Sequence, residues 1–244
     1  MYSKKSKIDI ILLTFNRKII LKETLKSIWK RTKTPYRLIV VDAGSNDGTV
    51  KYLKKLEDGG DIYKFVSMED NPGLCACYNE AYKYVESEYF VVTQDDLLPP
   101  LSDPDWIQDM IALLDRHEDH AAIAMRVCRM INTKFKADKE IGYARRACCA
   151  YLRIHKKSLI DLNMPYPFGE KVWADDIEFQ KIIHRIGYKC GFASNIWANH
   201  IGHSQGDNKG YGTFEKYFGF SLDRNKNKAR KPYPKVNDLT NKPI

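Results

Sequence analysis

The sequence predicts an α/β domain built on a mostly parallel central sheet with helices on both sides. Apolar, β-branched runs of strand length recur along the first hundred residues. Segments with helical spacing separate them, and the joints between are short. Strand and helix alternating in this way close most economically into a sheet covered on both faces.

The first run, IDIILLTF at 8–15, is apolar almost throughout, as a strand buried on both faces requires. Residues 17–31 then place Ile19, Ile20, Leu21, Leu25, Ile28 and Trp29 at helical spacing. YRLIVVDAG (36–44) reads as a second buried strand. SNDGTVKYLKKL opens with turn and capping residues and continues as a helix. IYKFVSM is a third strand, 74–86 a helix, and EYFVVTQ a fourth strand. Past Pro100 the rhythm changes. A helix is expected over 105–116 and strands over 121–131 and 143–155, with NTKFKADKEIG between them as a loop or hairpin tip. A helix over 174–187 and a last extended segment over 188–198 follow. From about 204 the chain turns polar, with a short helix expected near 212–222 and an extended basic tail from about 224.

At 244 residues and 43% hydrophobic content the chain can bury a sizeable core, which excludes global disorder. The net charge of +9 suits polyanions, membrane surfaces or phosphorylated small molecules. Basic residues gather at Lys4, Lys5 and Lys7 and from Arg224 to Lys235, read first as solvated ends and second as a contact with anionic lipid or nucleic acid. Six cysteines, at 75, 77, 128, 148, 149 and 190, form no C-x-x-C pair. They read as reduced, mostly buried thiols of a reducing compartment. No apolar run is long enough to span a bilayer. The basic start and short apolar run of MYSKKSKIDIILLTF lack a small-residue cleavage site, so the run reads as a strand and not a leader.

Ligands of open α/β sheets bind beyond the carboxyl ends of the strands. Here the first strand ends in TFNR (14–17), the second in DAGSNDG (42–48) and the fourth in TQDD (93–96). Those ends should share one edge and bring Asp42, Asp95 and Asp96 together. Adjacent carboxylates repel unless a cation sits between them or one takes a proton. Oxygen ligands suit Mg2+ or Mn2+, so Asp95 with Asp96 is a candidate holder of a divalent ion that bridges a diphosphate. The plainer alternative is an acid pair capping the 105–116 helix or the turn before Pro99 and Pro100. Asp175 and Asp176 open an amphipathic helix, where acids are ordinary dipole partners or, held near an acceptor hydroxyl, a general base. Trp173 is either core or a stacking face for a sugar ring. His200 or His203 could complete a metal shell if IWANHIGHS (196–204) folds back to the same edge.

Taken in order, these pieces resemble the family 2 glycosyltransferases of the GT-A fold. TFNR looks like the family's first-strand motif, and VVDAGSNDGT is close to its VVD-x-GS-x-DGT signature. NPGLCACYNEA (71–81) is similar to its N-x-G helix start, and TQDD takes the place of D-x-D. ADDIEFQKIIHRIGY and NHIGHS resemble its later helix and its H-x-x-G-x-S ending, so the likeness spans roughly 8–204. It implies a GT-A domain over 1–205, with a nucleotide-binding part to about 100 and an acceptor-side part beyond, followed by a helix and tail over 206–244.

The resemblance also implies roles. Thr14, Phe15, Asn16 and Arg17 would line the nucleotide pocket, with Ser45, Asn71, Gly73, Thr93 and Gln94 on the same loops. Asp42 would accept from the base, typically a uracil N–H. Asp95, with Asp96 and His200, would hold Mn2+ or Mg2+. Asp176 would be the general base, with Asp175 as its alternative, and Trp173 would face the acceptor. Thr93 departs from the family's first D-x-D acid, and Asp175 from its Glu. W-x-DD also looks like the family's galactofuranosyl and rhamnosyl transferases. The implied activity is a metal-assisted inverting transfer from a nucleotide-sugar donor, UDP-linked, to a hydroxyl of a glycan or lipid-linked acceptor. The implied setting is cytoplasmic, with a peripheral membrane contact and homo-oligomers both permitted. Two rivals are a non-catalytic nucleotide-sugar or glycan-binding module and a nucleotidyltransferase. The second needs a glycine- and arginine-rich loop that TFNRKIILKETL does not offer. Nucleic acid is suggested by charge alone and is not expected as a partner.

Overall fold

A computed structural model of the chain describes residues 7–103, 105–127, 140–143, 153–161 and 175–201. The predicted alternation is present: β1 (Ile8–Thr14), α1 (Lys18–Arg31), β2 (Tyr36–Asp42), α2 (Thr49–Asp58), β3 (Lys64–Ser67), α3 (Leu74–Tyr82) and β4 (Tyr89–Gln94). Beyond it come β5 (Leu97–Leu98), α4 (Trp106–Arg116), β6 (His120–Val127), β7 (Ile141–Gly142), β8 (Arg153–Lys156), α5 (Lys157–Asp161), α6 (Asp175–Arg185) and β9 (Lys189–His200). The strand order is β3-β2-β1-β4-β8-β6-β9-β5, with β7 on β9. Strands β1 to β4 are mutually parallel. β8 is antiparallel to both β4 and β6, and β9 is parallel to β6. Six strands therefore share one direction and their carboxyl ends share one edge, while β5, β7 and β8 run the other way.

All seven residues of β1 are buried, and alternate ones feed separate cores. Ile8, Ile10 and Leu12 pack with Leu21, Leu25 and Ile28 of α1, Leu53 of α2 and Met110 of α4. Ile11 and Leu13 pack with Cys77 and Tyr78 of α3 and Phe179 and Ile183 of α6. Period-two burial with both faces covered is why the strand reads as a continuous apolar run.

Some elements differ from expectation. The helix expected over 74–86 ends at Tyr82. The two-residue β5 and β7 and the short α5 went unforeseen, because a two-residue strand has no periodicity to detect. Ile141 and Gly142, expected in a loop or hairpin tip, pair with Ala193 and Phe192. Of the strand expected over 143–155, Arg153–Lys156 is described as β8. The helix and tail expected beyond 204, with His203 and Trp173, lie outside the described residues. Cys75, Cys77 and Cys190 are buried thiols outside any disulfide.

Helix α4 is capped by Asp105, not by the 95–96 acids. Its carboxylate accepts from the Ile107 backbone N–H at 2.6 Å, from that of Thr34 at 2.9 Å, and from that of Lys33. One side chain thus starts α4 and fastens the segment that leads into β2. Asp105→Ala should lower unfolding free energy by about 1–2 kcal/mol, seen as a lower urea midpoint at unchanged slope. No loss would show that water satisfies those donors.

Candidate active site

The carboxyl edge of β1, β2 and β4 collects the polar strand ends. Thr14 pairs with Asp42 in register, Leu13 pairs with Gln94, and the Asp95 N–H donates to the Leu13 carbonyl at 3.0 Å. Asp42, Thr14 and Asp95 therefore stand side by side. The loop after β2 folds over Asp42, whose Oδ2 accepts from the backbone N–H of Gly44 at 3.1 Å and of Ser45 at 2.7 Å. Its other oxygen, Oδ1, is buried without a hydrogen-bond partner among the described residues. Such an acceptor is costly unless a ligand donates to it.

Asn16 joins the first two loops. Its N–H donates to Ser45 Oγ at 2.7 Å, and its side-chain oxygen accepts from the Asn46 N–H at 2.8 Å. It does so at φ +50°, a left-handed conformation that Asn tolerates better than most residues. Gly44, at φ +88°, lets the third loop close in: a Cβ there would stand 3.1 Å from the Asp70 nitrogen and 3.3 Å from that of Asn71. Gly73 follows at φ +93° as the N-cap of α3. Phe15 leans on the α3-side core. Thr93 is paired with Leu12 and buried, one place short of the polar turn, while Gln94 is half-buried at the strand end. Burial, with the charge of Asp42 adding to it, pushes the Cys77 thiol up to about 11, so this cysteine beside the site is inert at neutral pH.

Asp95 and Asp96 are 2% and 1% exposed. Thr14 Oγ1 donates to Asp95 Oδ2 at 2.7 Å. The Arg17 Nη1 lies 3.2 Å from Asp95 Oδ1 and 2.7 Å from Asp96 Oδ2, so one guanidinium nitrogen serves both acids. His200 Nε2 sits 3.1 Å from Asp96 Oδ2. Asp96 Oδ1 is buried without a partner among the described residues. The backbone is equally fixed: Thr24 Oγ1 of α1 donates to the Asp95 carbonyl at 2.6 Å, and the Ile201 N–H to that of Asp96 at 2.9 Å. β5 supplies the connection to His200, through the Leu97–His200 pairing. Burial pushes Asp95 up to about 6. Burial also opposes ionisation of Asp96, but His200 and Arg17 outweigh it and hold that carboxyl well below the usual range.

Two carboxylates, one of them with a buried unpartnered oxygen, and an imidazole form a donor set that fits Mn2+ or Mg2+. Sequence reasoning foresaw the acids and His200 at this edge but not the bridge made by Arg17. It also overlooked His117, Asp119 and His120, whose ligand atoms lie within 4.8 Å of one another. That group sits at the amino edge of β6, away from the site. Its charges are matched locally, with Lys189 on Asp119 at 2.5 Å and the Tyr143 hydroxyl 3.0 Å from His120 Nε2.

Asp175 and Asp176 begin α6. The turn at 186–187 leads α6 straight into β9, and Phe179 and Ile183 pack against the sheet. With its end at the amino edge, the helix runs back along β9, so its first residues lie toward the carboxyl edge, about 16 Å away at 1.5 Å per residue.

The family model described as "Glycosyl transferase family 2" matches residues 9–190. The chain belongs to this family. An uncharacterized glycosyltransferase of Haemophilus influenzae is 22% identical over 204 residues, which cover 74% of this chain and 61% of that protein. The mannosyltransferase PcManGT from Pyrobaculum calidifontis, solved with GDP-Man and Mn2+, aligns at TM-score 0.66 and 20% identity, over 83% of this chain and 59% of that one. S. aureus TarS, solved with UDP-GlcNAc, aligns at TM-score 0.58 and 18% identity, over 83% and 60%. These likenesses establish the GT-A fold for this member of the family. The chain spans about three-fifths of the length of the relatives it matches. Among its described residues no helix is long and apolar enough to cross a membrane.

Proposed function

We propose that this glycosyltransferase moves a sugar from a UDP-linked donor to a hydroxyl of a glycan or glycolipid acceptor, with inversion at the anomeric carbon. The observation that carries the reading is the shared strand edge, where the open Asp42 oxygen and the buried Asp95–Asp96 pair stand on either side of Thr14. Asp42 Oδ1, buried and without a partner among the described residues, would accept a ring N–H of the base. Asn16, Ser45, Asn71 and Gly73 hold the loops that surround it, and Gln94 lies at the strand end beside the acids. A bound Mn2+ or Mg2+ would be held by Asp95, Asp96 and His200, and it would supply positive charge for the diphosphate. The PcManGT and TarS complexes, with GDP-Man and Mn2+ and with UDP-GlcNAc, support a nucleoside diphosphate sugar as donor.

Transfer is a single displacement. Asp176 takes the acceptor hydroxyl proton as that oxygen bonds to the anomeric carbon, and the bond from that carbon to the diphosphate oxygen breaks. The nucleoside diphosphate leaves with the electron pair. Residues to about 100 serve the donor, and residues beyond, Trp173 among them, serve the acceptor. The setting is cytoplasmic, and peripheral at a membrane when the acceptor is lipid-linked.

Thermal shifts with UDP, GDP, CDP and dTDP, each with and without Mn2+, test the donor assignment. UDP should raise the melting temperature in a way that needs both Mn2+ and Asp95, and Asp95→Ala should lose it. A ligand at 100-fold its Kd adds about 2.7 kcal/mol to the folded state. With Asp95 up at about 6, its carboxyl is protonated below that pH, so the Mn2+-dependent shift should grow as pH rises through 6. A response confined to GDP would change the donor. No shift with any nucleotide would favour the non-catalytic module.

A further inference from the structure

We infer that Arg17 is a positioning residue that makes metal binding and donor binding depend on each other, through competition between its guanidinium and a divalent cation for Asp95 Oδ1 and Asp96 Oδ2. The inference rests on the donor reading above and assigns Arg17 a role within it.

One nitrogen, Nη1, contacts an oxygen of each acid, at 3.2 Å on Asp95 and 2.7 Å on Asp96. A divalent cation that took those two oxygens would meet a positive charge at contact distance from both. The two cannot share those two oxygens. The acids are the fixed side of this competition. Both carbonyls are bonded, to Thr24 and Ile201, and both carboxylates have second partners, Thr14 and His200. Arg17 is the more exposed side. Its side chain is 24% exposed, against 3% and 2% for the acids, and it stands just ahead of α1 at the edge where the diphosphate is expected.

Leaving the acids costs the guanidinium its charged contacts with both buried carboxylates. It moves readily only toward another anion. A diphosphate is such an anion, and the planar fork of Arg suits phosphate oxygens. Arrival of the diphosphate therefore frees the carboxylates for the cation, and arrival of the cation drives Arg17 toward the diphosphate. Coupling between two ligands is reciprocal and is typically 5- to 150-fold.

Mn2+ titrations followed by electron paramagnetic resonance, with and without UDP, read this directly. Wild type should bind Mn2+ about tenfold or more tightly with UDP present than without. Arg17→Gln should bind Mn2+ alone about tenfold more tightly than wild type, and UDP should then add little. Arg17→Lys, which keeps a cation beside the acids, should bind Mn2+ alone nearly as weakly as wild type. A merely structural role for Arg17 would weaken metal binding in both variants. The inference is overturned if Arg17→Gln binds Mn2+ alone no better than wild type, or if both variants bind alike. It also falls, whatever the variants do or fail to fold into, if wild-type Mn2+ affinity is indifferent to a nucleotide that binds. A chain that binds none of the nucleotides refutes the donor reading and the coupling with it. A higher Mn2+ affinity of Arg17→Gln in that same chain would still leave the competition at the acid pair standing.

Discussion

Asp176→Asn should cut turnover by about 10²–10⁴-fold while donor affinity stays near that of wild type, the range that general-base help contributes. The backbone of α6 starts at Asp175, so its first turn lies toward the carboxyl edge that holds Asp95, Asp96 and His200. An acceptor approaching from the side opposite the diphosphate needs a carboxylate there to take its proton. Asn preserves size and helix geometry but cannot accept a proton at neutral pH. Asp175→Asn is the companion measurement and should keep most of the turnover. Loss in Asp175→Asn with near-normal turnover in Asp176→Asn would move the base by one residue. Near-normal turnover in both would remove the base from this helix and with it the proposed mechanism. Donor affinity, measured by calorimetry without acceptor, separates a chemical defect from a folding defect.

The largest effect on stability is expected at the other end of β1. Asp9→Ala should lower unfolding free energy by about 2–3 kcal/mol, because it removes a buried carboxylate that accepts from one guanidinium and two backbone N–H groups. Asp9 is fully buried inside an apolar strand. Arg37 binds it with two nitrogens, Nε at 2.7 Å and Nη2 at 2.8 Å, and the backbone N–H groups of Glu86 and Ser87 donate to it at 2.8 and 2.9 Å. This one carboxylate ties β1, β2 and the segment before β4 together at the amino edge. Removing it leaves the guanidinium with Glu86 as a more exposed partner and takes the acceptor from two part-buried donors. Asp9→Asn should cost less, since an amide oxygen still accepts. Donor binding should be unaffected in molecules that remain folded, because the site is at the opposite edge. A loss below about 1 kcal/mol in urea titration would show that the segment relaxes around the missing group.

The sequence alone determined the strands and helices of the first hundred residues, since apolar runs and helical spacing are local signals and both faces of the sheet are covered. It also placed Asp42, Asp95 and Asp96 at one edge, because polar residues that end parallel strands have nowhere else to go. His200 was legible through a motif, but its distance from Asp96 was not. That meeting depends on Leu97 pairing with His200 across more than a hundred residues, and a two-residue antiparallel pair carries no period. The helix cap likewise went to Asp105, whose reach back to Lys33 and Thr34 no spacing encodes. Asp9 was hidden for the same reason, as a lone acid in an apolar run whose partner lies on the next strand. Only the tertiary structure decided which cation each buried carboxylate met, Arg37 for Asp9 and Arg17 for the acid pair. A buried charge is tolerated where a partner of opposite sign reaches it in space, and nearness in space between distant residues is not written in local pattern.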